Sequence, residues 1–123
     1  MDNQNNLDYY LGKWFDVVVD RPIGSLHPSG APRYTLNYGY IPNTFAGDGC
    51  EQDAYILGVS EAVKEYRGYC AAAICREDDV EDKLVIVPNE AFADTLSDEA
   101  ILEATSFIEQ YFTVTVIRFK LLQ

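Results

Sequence analysis

The sequence is poor in basic residues and in the residues that build zinc sites and disulfide frameworks. Among its 123 residues nine are Lys or Arg, three are Cys and one is His, and no two cysteines have CxxC spacing. One histidine, His27, and three scattered cysteines do not make the ligand set of a zinc site, and an odd number of cysteines argues against a disulfide framework. We therefore expect three reduced thiols.

Long apolar runs are also missing. No stretch is long enough to span a membrane, and the polar run at residues 2–6 lacks the basic and apolar segments of a signal peptide. The sequence therefore predicts a cytoplasmic protein without membrane association, whose amino terminus is flexible over residues 1–8.

Acidic residues dominate the charge of the chain. Twenty Asp and Glu against nine Lys and Arg give a net charge of −11, which repels the phosphate backbone of nucleic acids and excludes them as main partners. A small anionic substrate meets the same repulsion, unless divalent cations gathered by the carboxylates reverse the local field. With 48% hydrophobic residues, the chain has the size and composition of one globular domain over residues 1–123.

Short strands account for most of the predicted secondary structure. Aromatic and β-branched residues indicate strands at residues 14–19, 55–59, 66–75, 84–87 and 113–119. The three alanines at 71–73 are equally compatible with a helix at residues 66–75. Pro88 ends the strand at residues 84–87.

One helix is indicated in the C-terminal half. Ser97 can cap it, and Asp98 and Glu99 suit the positive end of its dipole. Its apolar face consists of Ile101, Leu102, Thr105, Ile108 and Tyr111 or Phe112. Many short strands with one late helix predict a mainly β fold with some α, a small β-barrel packed by that helix.

Two acidic turns, each before a strand, are candidates for metal binding. The first holds Asp48 and Asp53 in a Gly-rich segment, and the second, residues 77–83, holds five carboxylates and one lysine. Converging carboxylates repel one another unless a cation lies between them, and Mg²⁺ prefers oxygen ligands. The alternatives remain that Asp and Gly simply form the first turn, and that the second is a solvated hairpin tip.

A basic and aromatic set precedes the first turn and comprises Arg33, Tyr34, Tyr38 and Tyr40. Tyrosine hydroxyls can donate to phosphate oxygens, and Arg can bind them bidentately. Packing in the core or at its rim remains the alternative for tyrosines on a strand. Gly39 between two of them predicts a bulge or a close approach of another backbone.

The order and spacing of these motifs resemble the soluble inorganic pyrophosphatases of family I. The signature of that family, N-Y-G-[YF]-[IV] followed by D-G-D-x-x-D, is similar to residues 37–41 followed by residues 48–53. The strand at residues 17–22 resembles the family's earlier strand, which ends in an acidic residue before proline. Residues 77–88 resemble its second metal loop, and residues 107–111 resemble the helix with its phosphate-binding tyrosine.

The resemblance implies a five-stranded OB-like barrel that uses Mg²⁺, with Mn²⁺ as a substitute, to hydrolyse pyrophosphate with a metal-activated water. The resemblance leaves open whether the chain forms a homo-oligomer. The implied metal ligands are Asp20, Asp48, Asp53, Asp78 and Asp82, with Asp79 and Glu81 as the other carboxylates of the second loop. The implied phosphate-binding residues are Arg21, Arg33, Lys83, Tyr38 and Tyr111.

Three positions depart from the family pattern. Cys50 replaces the central aspartate that serves as base for the attacking water, and a mostly protonated thiol is a poor base. Glu51 could take that role only in a bulged turn. Phe112 replaces a lysine, and only Arg21 or Arg33 could replace the hairpin arginine. The candidate catalytic residues are Cys50, Glu51, Tyr38 and Lys83.

Two functions follow from this pattern. The first is a metal-dependent diphosphatase that acts on inorganic pyrophosphate or a related phosphoanhydride, as the aspartates indicate. The second is a non-enzymatic protein that binds a metal or a phosphate compound on the same fold, as the departures indicate, because a fold does not determine a function.

Overall fold

Six strands and two helices make up the parts of the chain that the computed structural model describes, residues 9–46, 49–77 and 81–118. Residues 1–8, for which flexibility is predicted, lie outside them. The strands are β1 (Trp14–Arg21), β2 (Asn37–Ile41), β3 (Gln52–Ile56), β4 (Glu65–Arg76), β5 (Asp82–Val87) and β6 (Val114–Arg118). The helices are α1 (Glu90–Thr95) and α2 (Asp98–Glu109).

Most of the predicted elements are found, with some shifted bounds. The alanine-rich segment is a strand, β4, rather than a helix. The strand predicted at 55–59 instead runs over Gln52–Ile56, since Gly58 beyond it has a φ of 86°. Helix α1 was not predicted, because six residues give too short a pattern to show a helical period.

Five of the strands close into a mixed barrel. Strand β1 pairs with β2, β2 with β3, β5 with β4, and β4 with β1, all antiparallel, whereas β3 and β5 are parallel. Strand β4 is long enough to pair with β1 through its first half and with the extra strand β6 through its second half. The predicted five-stranded OB-like barrel packed by a helix is confirmed.

The buried residues form two clusters on opposite faces of this sheet. One contains small and branched side chains from all five barrel strands, such as Val17, Ala54 and Ile86, and fills the barrel interior. The other joins the outer face of the sheet to both helices, with Tyr55 of β3 and Ile101 of α2 among its members. Successive side chains along each strand therefore point alternately into the barrel and towards the helices, as the pleat requires.

Local signals begin both helices. The Ser97 side chain accepts a hydrogen bond from the backbone N–H of Ala100 at the start of α2, and Asn89 accepts one from Phe92 at the start of α1. The predicted cap of α2 is thus confirmed. Among the described residues, no helix is both long and apolar enough to cross a membrane.

Candidate functional site

Strand register brings polar side chains together on the outer face of the barrel. Arg21 of β1 is the register partner of Tyr38 of β2, and Tyr38 is the partner of Tyr55 of β3. Asp53 lies two residues before Tyr55, on the same face, and is in turn the partner of Lys83 in the parallel pair β3–β5. The pleat alone therefore aligns these five residues across four neighbouring strands.

Lys83 is the centre of the first group of polar contacts. Its ammonium is 2.9 Å from Asp53 Oδ2 and 2.8 Å from the Tyr38 hydroxyl, and the Tyr38 hydroxyl also donates to Asp53 Oδ2 at 2.7 Å. Lys83 is only 3% exposed, so its charge depends on these partners. Burial and the neighbouring charge of Asp53 raise the pKa of Tyr38, which keeps its hydroxyl protonated as a donor.

Arg76 and Glu109 form the second group. The guanidinium of Arg76 at the end of β4 binds Glu109 of α2 through two bonds, Nε–Oε1 at 2.9 Å and Nη2–Oε2 at 2.8 Å. Glu109 also accepts a hydrogen bond of 2.7 Å from Tyr55. Burial alone would lower the pKa of Arg76, but the hydrogen bonds and charge of Glu109, with Tyr55 and Glu81, together outweigh burial and raise that pKa. The pair fixes the end of α2 against the sheet.

Glu81 connects the two groups. Its Oε2 is 2.9 Å from Arg76 Nη1 and 3.4 Å from Lys83 Nζ, so one carboxylate oxygen contacts both cations. The Glu81 side chain is 33% exposed, whereas those of Arg76 and Lys83 are 5% and 4% exposed. Glu81 is therefore the solvent-facing end of the network.

A polar cleft of about 340 Å³ opens above these contacts, and we call it the cation cleft. Its charged lining residues are Arg21, Arg76, Lys83, Asp53 and Glu81, and its aromatic ones are His27, Tyr34, Tyr38, Tyr55 and Phe112. Arg21 donates to the Tyr34 hydroxyl at 2.6 Å. Burial alone would lower the pKa of Arg21, but this bond and the neighbouring Tyr34, Tyr38 and Asp20 together outweigh burial and raise that pKa. Several cations and hydroxyls therefore face one space, an arrangement that suits phosphate oxygens.

Six of the candidate residues named from the sequence line this cleft, namely Arg21, Tyr34, Tyr38, Asp53, Glu81 and Lys83. Asp48 and Asp78 lie outside the described residues, as does Asp79. Six others are not among its lining residues, namely Asp20, Arg33, Cys50, Glu51, Asp82 and Tyr111. Their roles stay predictions.

The residues outside the cation cleft have other surroundings. Arg33 is exposed and donates to the Gly24 carbonyl. Cys50 and Glu51 are exposed and line a separate cleft beside Phe45. Tyr111 is 71% exposed and lies beside the cation cleft rather than in it.

Asp82 shows how the strand pleat selects between neighbouring carboxylates. It pairs with Cys75 of β4, while Glu81 and Lys83 on either side of it line the cleft. Burial raises the pKa of the Asp82 carboxyl, and the Cys75 thiol is beside it. Among the carboxylates of this turn that the structure describes, Glu81 is thus the one that contacts the cations.

The described residues do not by themselves fit a magnesium ion. No group of three His, Cys, Asp or Glu side chains among them is placed to hold a metal ion. Asp53 Oδ2 and Glu81 Oε2 both contact the ammonium of Lys83, a cation that already neutralises them. A magnesium site here would need carboxylates from the undescribed residues 47–48 and 78–80.

Sequence reasoning missed Arg76 and Glu109. One signal for Glu109 exists, since it lies four residues after Thr105 and eight after Ile101, on the buried face of α2. A charge on such a face demands a partner of opposite sign. Nothing in the sequence identifies that partner as Arg76, because the two residues are 33 positions apart.

Comparison with known proteins supports this architecture. No protein-family model matches the sequence, and no curated protein matches it either. The chain is similar to the solved structure of an inorganic pyrophosphatase from Helicobacter pylori, with 21% identity and a TM-score of 0.60 over 90% of this chain and 86% of that one.

Other solved pyrophosphatases give the same result. The enzyme from Ehrlichia chaffeensis shares 19% identity at a TM-score of 0.65, covering 85% of this chain and 84% of that one. The enzyme from Neisseria gonorrhoeae shares 22% identity at a TM-score of 0.60, covering 81% and 74%. The chain therefore has the fold of the soluble inorganic pyrophosphatases.

Proposed function

We propose that this chain binds inorganic pyrophosphate, or a related phosphoanhydride, in the cation cleft. The observation that carries the proposal is that three cations, Arg21, Arg76 and Lys83, line one cleft together with tyrosine hydroxyls. Guanidinium groups bind phosphate bidentately, and an ammonium binds it as a point charge. The solved structures of similar fold are inorganic pyrophosphatases, which supports this choice of ligand.

Charge balance shows how a phosphate would enter. The three cations face three carboxylates, of which Glu109 is buried and Asp53 is held by two hydrogen bonds. Glu81 is the carboxylate with access to solvent, and it occupies the position between Arg76 and Lys83. A phosphate oxygen replaces the Glu81 carboxylate there, and Glu81 turns to solvent. Both cations then keep an anionic partner, so the exchange leaves no buried charge unpaired.

Hydrolysis with a divalent metal is the second candidate function. Two observations favour hydrolysis. Asp53 lines the cation cleft, and Asp53 belongs to the same sequence motif as Asp48. When bound, Mg²⁺ would neutralise charge on the phosphates and activate a water. The contacts of Lys83 with Asp53 and Glu81, and Cys50 in place of an aspartate, favour binding without turnover instead.

Isothermal titration with pyrophosphate tests the first function. Because Lys83 is buried against the cleft, Lys83→Met keeps its apolar stem, and we expect it to weaken pyrophosphate binding by about tenfold or more. Lys64→Met, at an exposed position, is the matched control and should bind like the parent. Equal affinity of the parent and a folded Lys83→Met variant would place the ligand elsewhere.

Phosphate release measured in parallel tests the second function. The parent, Cys50→Asp and Glu51→Gln are compared in Mg²⁺, in Mn²⁺ and in chelator. If Cys50→Asp raises metal-supported release by about tenfold, or ~1.4 kcal/mol of barrier, the chain is a metal-dependent hydrolase whose turnover Cys50 limits from outside the lining of the cation cleft. If no variant releases phosphate while pyrophosphate still binds, the chain is a binding protein.

A further inference from the structure

A second cleft, of about 440 Å³, adjoins the cation cleft. The two share His27, Ile108 and Phe112 as lining residues. Beyond this common wall the second cleft is lined by small and apolar groups of the loop between β1 and β2, and by Tyr111 after α2. We call it the aromatic cleft. Pyrophosphate has no apolar surface, so it cannot use this space.

The loop wall of the aromatic cleft is held by its own hydrogen bonds. The backbone N–H of His27 donates to the Pro32 carbonyl at 2.9 Å, and Gly30 donates to the His27 carbonyl at 2.8 Å. The Ser29 backbone N–H donates to His27 Nδ1 at 3.2 Å. The wall is thus preformed and places the His27 ring where the two clefts meet.

The opposite wall presents aromatic rings. Tyr111 is 71% exposed, and Phe112 is held with its ring 3.7 Å from the guanidinium of Arg76. Arg76 is itself fixed by Glu109. An exposed ring beside an ordered one, in an apolar cleft that continues into a cationic one, suits a planar ring that is attached to phosphates.

We propose that the natural ligand is a nucleoside diphosphate or triphosphate rather than inorganic pyrophosphate alone. Its phosphates bind Lys83 and Arg76 in the cation cleft, and its base lies in the aromatic cleft against Tyr111. This inference rests on the proposed phosphate binding of the cation cleft. It assigns the aromatic cleft to the base of the nucleotide. Tyr111 is then a stacking residue rather than a phosphate ligand.

Isothermal titration with ADP, pyrophosphate and geranyl diphosphate tests the inference in chelator at fixed salt. We expect ADP to bind at least about tenfold more tightly than pyrophosphate, because base–aromatic contacts add to the phosphate contacts. Tyr111→Ala should bring the ADP to pyrophosphate affinity ratio close to one. Tyr111→Phe keeps the ring but not the hydroxyl and should keep the ratio, as should the control Tyr9→Ala at another exposed tyrosine.

The remaining outcomes each decide between the two proposals. If ADP and pyrophosphate bind equally well, the base assignment is wrong while the phosphate site stands. If Tyr111→Phe loses the ratio as Tyr111→Ala does, the hydroxyl contacts the nucleoside and stacking on the ring is refuted. If Tyr111→Phe weakens both ligands equally, the hydroxyl holds phosphate. If geranyl diphosphate exceeds ADP, the aromatic cleft takes a flexible chain and not a base. If neither ADP nor pyrophosphate binds, the proposed function itself fails.

Discussion

Replacing Glu109 by Gln should destabilise the protein strongly. Glu109 is 2% exposed and receives two bonds from Arg76 and one from Tyr55. The amide keeps the shape of the side chain but removes its charge, so the buried guanidinium loses the charged carboxylate that it binds through two bonds. Breaking one side of a buried pair costs about 3–5 kcal/mol. At roughly 4 °C per kcal/mol for a domain of this size, the melting temperature should fall by about 12–20 °C.

Urea denaturation followed by circular dichroism measures this loss. Asp16→Asn is the control, since Asp16 and Arg67 form an ion pair whose side chains are 77% and 59% exposed, and it should change the unfolding free energy by less than about 0.5 kcal/mol. Adding Arg76→Met to Glu109→Gln removes the guanidinium that has lost its buried carboxylate and should restore at least about 2 kcal/mol. A loss below about 1 kcal/mol for Glu109→Gln alone would refute the reasoning.

Three further changes follow from the same geometry. Glu81→Gln should tighten pyrophosphate binding by about tenfold, because it removes the anion that competes for Arg76 and Lys83, while Glu65→Gln at an exposed position should not; equal titration curves would show that Glu81 does not compete. Gly39→Ala should cost at least about 2 kcal/mol in urea, because its Cβ would overlap the Val18 carbonyl, and a neutral result would mean that β1 can shift. Burial raises the pKa of Cys70 to about 12, so the unfolded state loses the thiol proton first as pH rises above about 8.5. The unfolding free energy should then fall between about pH 8.5 and 11, and less steeply in Cys70→Ala. Identical pH dependence in the parent and the variant would show that this thiol is not the cause.

Local patterns predicted the elements that depend on neighbours in the sequence. Helix α2 follows from a cap and an apolar period that can be read within twelve residues, and β4 follows from its flanking aromatic residues. The predicted strand ends were less accurate because they depend on turn conformations such as the positive φ of Gly58. The barrel closure between β1 and β4 joins residues about fifty positions apart, so no local signal shows which strands pair. The many short strands predicted a barrel, and the resemblance implied its five-stranded form.

The residues of the candidate site that could be predicted are those that belong to sequence motifs. Tyr38, Asp53 and Lys83 each belong to a motif of the resemblance, and the sheet register brings them into contact. Arg76 belongs to none, and Glu109 lies in the segment 107–111 that resembles the family only through the position of Tyr111; the fold rather than a motif brings the two residues together. The choice of Glu81 over Asp82 is a matter of one residue, which in a strand decides which face a side chain occupies.

The described cleft balances charge with protein cations where the resemblance implies metal ions. Lys83 contacts both Asp53 and Glu81, and Arg76 contacts both Glu81 and Glu109, so each cation bridges two carboxylates. A divalent ion at Asp53 would have to displace a buried ammonium, whereas a phosphate need only displace the exposed carboxylate of Glu81. Displacing the exposed group costs less, because water can solvate it afterwards. The described residues of this cleft therefore favour an anionic ligand over a cation.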